Sequence, residues 1–274
     1  MAAIPGRIER GATVRTGVDY ARYGQATWKW WCKRHGAHFV LLDRPLGGKP
    51  FRGISPTIQR WLAPSLLIEE FGPDTKIAMV DADTMIRWDA PDLFEAAGSR
   101  FAAVRTSNAR WVSRSIQAYT HFFPGVVLPW WEYFNSGVVV LGAAQLKVIK
   151  QFTDFASENW SELLAVQRTG DVGSDQTPLN LMIRREGEPV NFIPSPFNLL
   201  DCVPQTLLLW NLEVNPGPEQ ERLARDTLSQ PELFDFIDLG YIWHFTNVRV
   251  ARRMVMKETW RRVSVRYPGA PNLS

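Results

Sequence analysis

The stretch Lys76-Ile-Ala-Met-Val-Asp81-Ala-Asp83-Thr-Met-Ile constrains the fold more than any other part of the chain. Its apolar half reads as a buried strand, and its two acids mark where that strand reaches the surface, because an unpaired carboxylate inside a core is too costly. Alternate side chains of an extended segment share a face, so Asp81 and Asp83 point the same way and suit one hard cation. In open α/β sheets, ligands bind at the carboxyl ends of strands. A metal-bound diphosphate fits such a place; the plainer alternative is a strand followed by a solvated acidic turn.

At 274 residues and 45% hydrophobic content the chain is long enough to bury a full core without staples. With 31 Lys+Arg against 28 Asp+Glu the net charge is only +3, which makes no case for a nucleic-acid partner. Cys32 and Cys202 have no C-x-x-C spacing and read as two thiols in a reducing compartment. The opening Met1-Ala-Ala-Ile-Pro-Gly-Arg lacks an apolar signal region, and no later run approaches the roughly 18 apolar residues of a spanning helix. A cytoplasmic protein is therefore expected. The 12 Trp residues are mostly core volume.

In chain order, Ala12–Gly17 is a β-leaning run, Val18 to Gly36 a helical pattern through Trp28, Trp30 and Trp31, and His38–Leu42 a strand. This strand, helix, strand opening is of the kind that builds a parallel sheet. Arg44 to Gly53 is a loop, and Ser55-Pro56 caps and starts a helix that runs to Phe71-Gly72. A short helix begins at Ala90-Pro91, Phe101–Arg105 is a strand, and Trp111 to Phe123 is weakly helical. Trp130-Trp131-Glu-Tyr-Phe134-Asn135-Ser-Gly137-Val-Val-Val-Leu141 reads as an aromatic cluster, a turn and a buried strand. A helix from about Ala143 to Val166 follows, then a Gly-rich loop whose Ser174 is placed to cap a helix carrying Asp175 and Gln176. Val190–Pro194 is a strand, 201–231 gives little pattern, and the stretch Ile237–Asn247 reads as a strand ending in a histidine, His244. A basic helix at about 250–266 closes the chain. No linker divides it, so residues 1–274 are expected to form one unit, with a nucleotide-binding half at about 10–105 and an acceptor half at about 106–250.

Four features in this order, a strand ending in D-x-D, an F-N-S-G strand entry, a D-Q helix start and a late W-H-F, resemble GT-A glycosyltransferases of the glycogenin and bacterial galactosyltransferase types. Residues 23–45 also resemble the opening of the yeast mannan galactosyltransferase type and its plant xylosyltransferase relatives. The resemblance implies an α/β, Rossmann-like GT-A fold with a mostly parallel twisted sheet flanked by helices. It also implies a retaining, metal-dependent transfer from a UDP-sugar to a hydroxyl of a glycan, glycoprotein or glycolipid acceptor. Asp81, Asp83 and His244 would hold Mn2+ or Mg2+, with Asp81 also facing the ribose. Asn135 would help hold the donor sugar, Gly137 would let the backbone come close, and Asp175 and Gln176 would stand near the anomeric carbon. Tyr20 would stack on uracil, and Arg60 would meet the diphosphate. These families place a lysine shortly after the late histidine to grip the diphosphate; here Arg249 and Arg252 flank the matching position.

Taken singly, these residues also have plain readings: His244 as a hydrogen-bonded core histidine, Asn135 as a tight turn, Asp175 as an acid favoured by a helix dipole, Tyr20 as packing and Arg60 as an exposed helix arginine. Two other classes compete. A strand ending in D-x-D also opens haloacid-dehalogenase-type phosphatases, whose later G-D-x-x-x-D motif is matched by Gly170-Asp171-Val-Gly-Ser-Asp175, although Met85 stands where those enzymes have Thr or Val. A carbohydrate-binding protein would use Trp130 and Trp131 as stacking faces. The basic C-terminal helix is either a solvated face or a peripheral membrane contact.

Overall fold

The computed structural model describes residues 20–48, 51–170, 172–200, 202, 217–246 and 252–266. Its centre is a mixed sheet in the order β1-β4-β3-β5: β1 is Ile77–Val80, β3 is Phe101–Arg105, β4 is Phe134–Leu141 and β5 is Val190–Phe192. β4 runs antiparallel to both β1 and β3, and β5 is parallel to β3. β2, Thr84–Ile86, continues the chain beyond the D-x-D and pairs antiparallel with β6, Ile242–His244. The expected α/β architecture is present, with helices on both faces of the sheet, but in place of a mostly parallel sheet the strand pairings among the described residues are mixed, with β3/β5 the parallel one. The strand expected over 12–17 lies outside the described residues. Over 38–42 only Val40 is a bridge residue.

The two faces follow from the two-residue period of the strands. Ile77 and Met79 of β1, Phe101 and Ala103 of β3, and Val139 and Leu141 of β4 belong to one apolar cluster. They meet Ile58 and Trp61, Leu67 of α3 (Ala63–Phe71), Val112 and Tyr119 of α5 (Ala109–Tyr119), Phe152 of α6 (Leu146–Glu158) and Leu179 of α8 (Gln176–Arg185). The intervening residues Ala102, Val104, Val138 and Val140 face Trp28, Trp31 and Cys32 of α1 (Ala21–His35) and Leu93 and Ala97 of α4 (Leu93–Ala97). A third cluster lies under the β2/β6 pair, where Met85, Trp243 and Phe245 pack with Phe234, Phe236 and Val255, Met256, Trp260 and Val263 of the basic C-terminal helix, Arg252–Arg266. One face of that helix is therefore core. No helix among the described residues is long and apolar enough to cross a membrane.

Several local expectations change. The helix expected from Ala143 to Val166 is two, α6 and α7 (Trp160–Thr169), separated at Asn159, whose Nδ2 donates to Phe155 O (2.9 Å) and so competes with the helical ladder. Residues 236–239 form a helical turn, Phe236–Leu239, so the strand expected from Ile237 starts only at Ile242; it ends at His244 as expected. Ser174 is not the cap of α8. Asp175 occupies that position without making a side-chain cap bond, and Ser174 Oγ donates to Asp175 Oδ1 at 3.1 Å. Ser55, by contrast, caps as expected, accepting from Thr57 N, with Pro56 opening the helix α2, Pro56–Gln59.

What positions the site is a break in register. Ala103 of β3 pairs with Val139, but Val104 pairs with Asn135, so Ser136, Gly137 and Val138 bulge away from β3. On the other side Asp81 N donates to Gly137 O at 2.8 Å, which brings the bulge against the carboxyl end of β1. α1 closes the D-x-D turn from behind. A Cβ on Gly24 would lie 2.4 Å from Thr84 O, so only glycine allows the helix this close. Trp28 Nε1 donates to Thr84 Oγ1 (3.0 Å), which in turn donates to Asp81 O (2.7 Å).

Candidate metal centre

The antiparallel β2/β6 ladder sets Thr84 opposite His244, and Phe245 N donates to Asp83 O at 2.9 Å. Strand alternation sends Trp243 and Phe245 into the apolar cluster and His244 toward the two acids. His244 Nε2 lies 3.6 Å from Asp81 Oδ2 and 3.5 Å from Asp83 Oδ1. One ligand atom from each of the three groups falls within 4.8 Å of the others. Opposite ligands of a six-coordinate ion at about 2.1 Å stand about 4.2 Å apart, so small side-chain rotations suffice for one cation to be shared. Two carboxylate oxygens and one imidazole nitrogen form a donor set that first-row divalent cations accept. The residues present thus fit a divalent metal.

His244 is buried, and its Nδ1 is 3.0 Å from Asn198 Oδ1. Asn198 Nδ2 donates to Asn135 Oδ1 (2.9 Å), which also accepts Gly137 N (2.9 Å). Asn135 Nδ2 donates to Gln176 Oε1 (2.9 Å), which accepts Ser136 N as well (3.0 Å). Asn135, Gly137, Gln176 and His244, far apart in sequence, thus form one connected chain of hydrogen bonds. Asn180 fastens α8 to the strand entry: its Oδ1 accepts Phe134 N (2.9 Å) and its Nδ2 donates to Phe134 O (3.0 Å).

Arg60 is a largely covered ion-pair partner, not an exposed helix arginine. Its Nη1 pairs with Asp81 Oδ1, and its Nη2 donates to Asp175 Oδ2 (2.8 Å) and Ser136 O (3.0 Å). Burial weakens the guanidinium's hold on its proton, but Asp81 and Asp175 outweigh this and keep it well above the ordinary arginine value. Asp175 Oδ2 also accepts Trp61 Nε1 at 3.0 Å. Arg252 stands on the other side of the site: its Nη2 is 3.2 Å from Asp83 Oδ2, its Nε donates to Phe245 O (3.1 Å), and its guanidinium lies over the Tyr20 ring at 5.1 Å. Arg249 lies outside the described residues.

The two acids of the D-x-D differ electrically. Burial pushes the Asp83 carboxyl up, but the bond to His244 and the charges of His244 and Arg252 prevail and hold it at about 2. Burial pushes Asp81 up, Arg60 pulls it back, and the Asp83 charge adds to the rise. Asp81 keeps a third of its side chain open to solvent, so its charge is better screened than that of Asp83.

The nine predicted site residues fall into two adjoining groups. Asp81, Asp83 and His244 converge with Asn135, Gly137 and Gln176 behind them, while Arg60 joins Asp81 to Asp175 and Tyr20 meets the site through Arg252. Sequence reasoning missed Asn198, Thr84, Gly24 and Asn180. Asn198 sits in the turn Ser195–Asn198 after a proline, with no local pattern to mark it. Gly137 has a tighter reason than expected: a Cβ there would lie 2.1 Å from His244 Cε1. Gly137→Ala is therefore expected to displace the ring, cost about 1–3 kcal/mol in urea unfolding and weaken Mn2+ binding in a calorimetric titration. Unchanged values in both would mean that the ring has room to move.

No protein-family model matches the sequence, and no curated protein matches it. Three solved structures similar to this chain are glycosyltransferases. A glycosyltransferase involved in the glycosylation of the major capsid of PBCV-1 aligns over 89% of this chain and 95% of its own, at 12% identity and a TM-score of 0.45. Apo mouse xyloside xylosyltransferase 1 aligns over 51% of this chain and 53% of its own, at 15% identity and a TM-score of 0.34. The bifunctional glycosyltransferase WbbM aligns over 92% of this chain and 48% of its own, at 13% identity and a TM-score of 0.43. At this level the likeness assigns neither an activity nor a residue role to this chain.

Proposed function

We propose that the protein is a metal-dependent glycosyltransferase that moves a sugar from a UDP-sugar to a hydroxyl of a glycan, glycoprotein or glycolipid. The observation that carries this reading is the convergence of Asp81, Asp83 and His244 at the carboxyl end of β1. In this reading they hold Mn2+ or Mg2+, and the bound cation neutralises the leaving diphosphate. Arg252, beside Asp83, takes the part of the missing lysine; its planar fork matches phosphate oxygens. Asn135 and Gln176, ordered by backbone N–H groups of the bulge, face the donor sugar, and Tyr20 lies on the side of the base.

Asp175 is engaged by Arg60, Trp61 and Ser174, so its role here is to orient Arg60 rather than to take a proton. A retaining transfer, in which the departing phosphate accepts the proton of the acceptor hydroxyl, needs no such base. The same contacts disfavour a phosphatase, which would need Asp81 free to attack and Asp175 open to a cation. Trp130 and Trp131 lie in the turn that leads into β4 just before Asn135 and are 42% and 56% exposed, which suits stacking on an acceptor sugar.

The test is release of UDP from a panel of UDP-sugars without acceptor, with Mn2+ and with EDTA. Slow hydrolysis of one sugar nucleotide that stops with EDTA is expected and names the donor. Release equal in EDTA, or turnover of p-nitrophenyl phosphate in its place, would overturn the reading.

A further inference from the structure

Two backbone donors, Ser136 N–H and Gly137 N–H, cannot change role, and they orient every amide between the bulge and His244. Gly137 N–H requires the oxygen of Asn135 at that end, and Ser136 N–H requires the oxygen of Gln176. Asn135 Oδ1 then calls for the nitrogen of Asn198, so the Asn198 oxygen is turned to His244 Nδ1, 3.0 Å away. An amide oxygen only accepts, so the single proton of the neutral ring sits on Nδ1; only the doubly protonated ring, whose Nε2–H and charge lower Asp83, donates from both nitrogens. Nε2 is left to face the oxygens of Asp81 and Asp83 at 3.6 and 3.5 Å, an arrangement of acceptors that a cation among them relieves.

We propose that Asn198, 1% exposed and invisible as a motif, is the positioning residue that keeps the His244 proton on Nδ1 so that bare Nε2 is offered to the divalent cation. The inference rests on the metal reading above. Partners of this kind on a ligating histidine typically change metal affinity by about 10–100-fold.

Nitrogen NMR of the metal-free protein, with its histidines labelled and at a pH where the ring is neutral, reads the tautomer directly. For His244 the pattern expected is protonated Nδ1 and bare Nε2; a protonated Nε2 in the wild type would overturn the proposal whether or not metal binds. Asn198→Leu removes the acceptor and is expected to mix the tautomers and weaken Mn2+ binding about 10–100-fold in calorimetry. Asn198→Asp keeps an acceptor on Nδ1 but sets a buried carboxylate oxygen against Asn135 Oδ1, so the Nδ1 tautomer should persist whatever the affinity does. If Asn198→Asp mixes the tautomers as Asn198→Leu does, packing and not the acceptor is responsible. Wild-type protein that shows the expected tautomer but binds no Mn2+ would instead count against the metal reading.

Discussion

Replacing Asp83 by Asn is expected to lower metal-dependent turnover about 10^3-fold while leaving the fold intact. Stabilising the charge of a leaving diphosphate is worth several kcal/mol, and each 1.4 kcal/mol or so is a decade in rate. The amide retains the size of the carboxylate but not the charge that binds a cation, so the loss should appear equally in Mn2+ affinity. Unchanged rates of UDP release in Asp83→Asn would remove the metal assignment. The same variant should also change the acid limb of stability. Because the folded Asp83 carboxyl is held at about 2, below the ordinary aspartate value of about 3.9, its contribution is present above about pH 4 and is lost as pH falls toward 2. It amounts to about 2 kcal/mol. Urea unfolding of Asp83→Asn at pH 5 and pH 2 should show a smaller drop than the wild type by about that amount.

Arg60→Met is expected to be the most destabilising change near the site, by about 3–5 kcal/mol, because it leaves Asp81 and Asp175 facing each other without their shared cation. Two controls separate charge from packing. The double variant Arg60→Met with Asp175→Leu removes one of the stranded charges, so its loss should be clearly smaller than the sum of the two single losses. Saturating Mn2+ should raise the urea midpoint of Arg60→Met, since a ligand bound only by the folded state stabilises it. A loss under about 1 kcal/mol in Arg60→Met would mean that solvent already screens the pair.

The resemblance placed Arg60 at the diphosphate; in the structure its guanidinium is taken up by two carboxylates. The difference is one of burial. Arg60 belongs to the 3-10 turn Arg60–Leu62 between two helices, and nothing in its neighbours marks which way that turn points. Once Trp61 enters the core, Arg60 is carried to the sheet edge, and only the fold shows that Asp81 and Asp175 wait there. The basic C-terminal helix has a similar history. Its charge is plain in the sequence, yet Val255, Met256 and Val263 are fully buried, and Arg252 is directed back at Asp83.

What the sequence determined by itself is local. An apolar run meeting two acids could only be a strand that ends at a surface, and Phe101–Arg105 carries a strand signal strong enough to set its own bounds; the valine run set the end of β4, while its first residues, Phe134–Gly137, read as a strand entry and a turn. Ser55-Pro56 started its helix where capping chemistry requires it. His244 was legible as a ligand only through the resemblance; by itself a histidine on an apolar strand reads as a hydrogen-bonded core residue. What only the tertiary structure decided is which distant groups share a few ångströms: the β4 bulge that sets Gly137 against Asp81, the β2/β6 register that sets His244 beside Asp83, and Asn198 behind the ring. The physical reason is that strand propensity and capping act over neighbouring residues, whereas register is chosen by the whole core, in which a shift of one residue would turn His244 into the apolar cluster and Trp243 out of it.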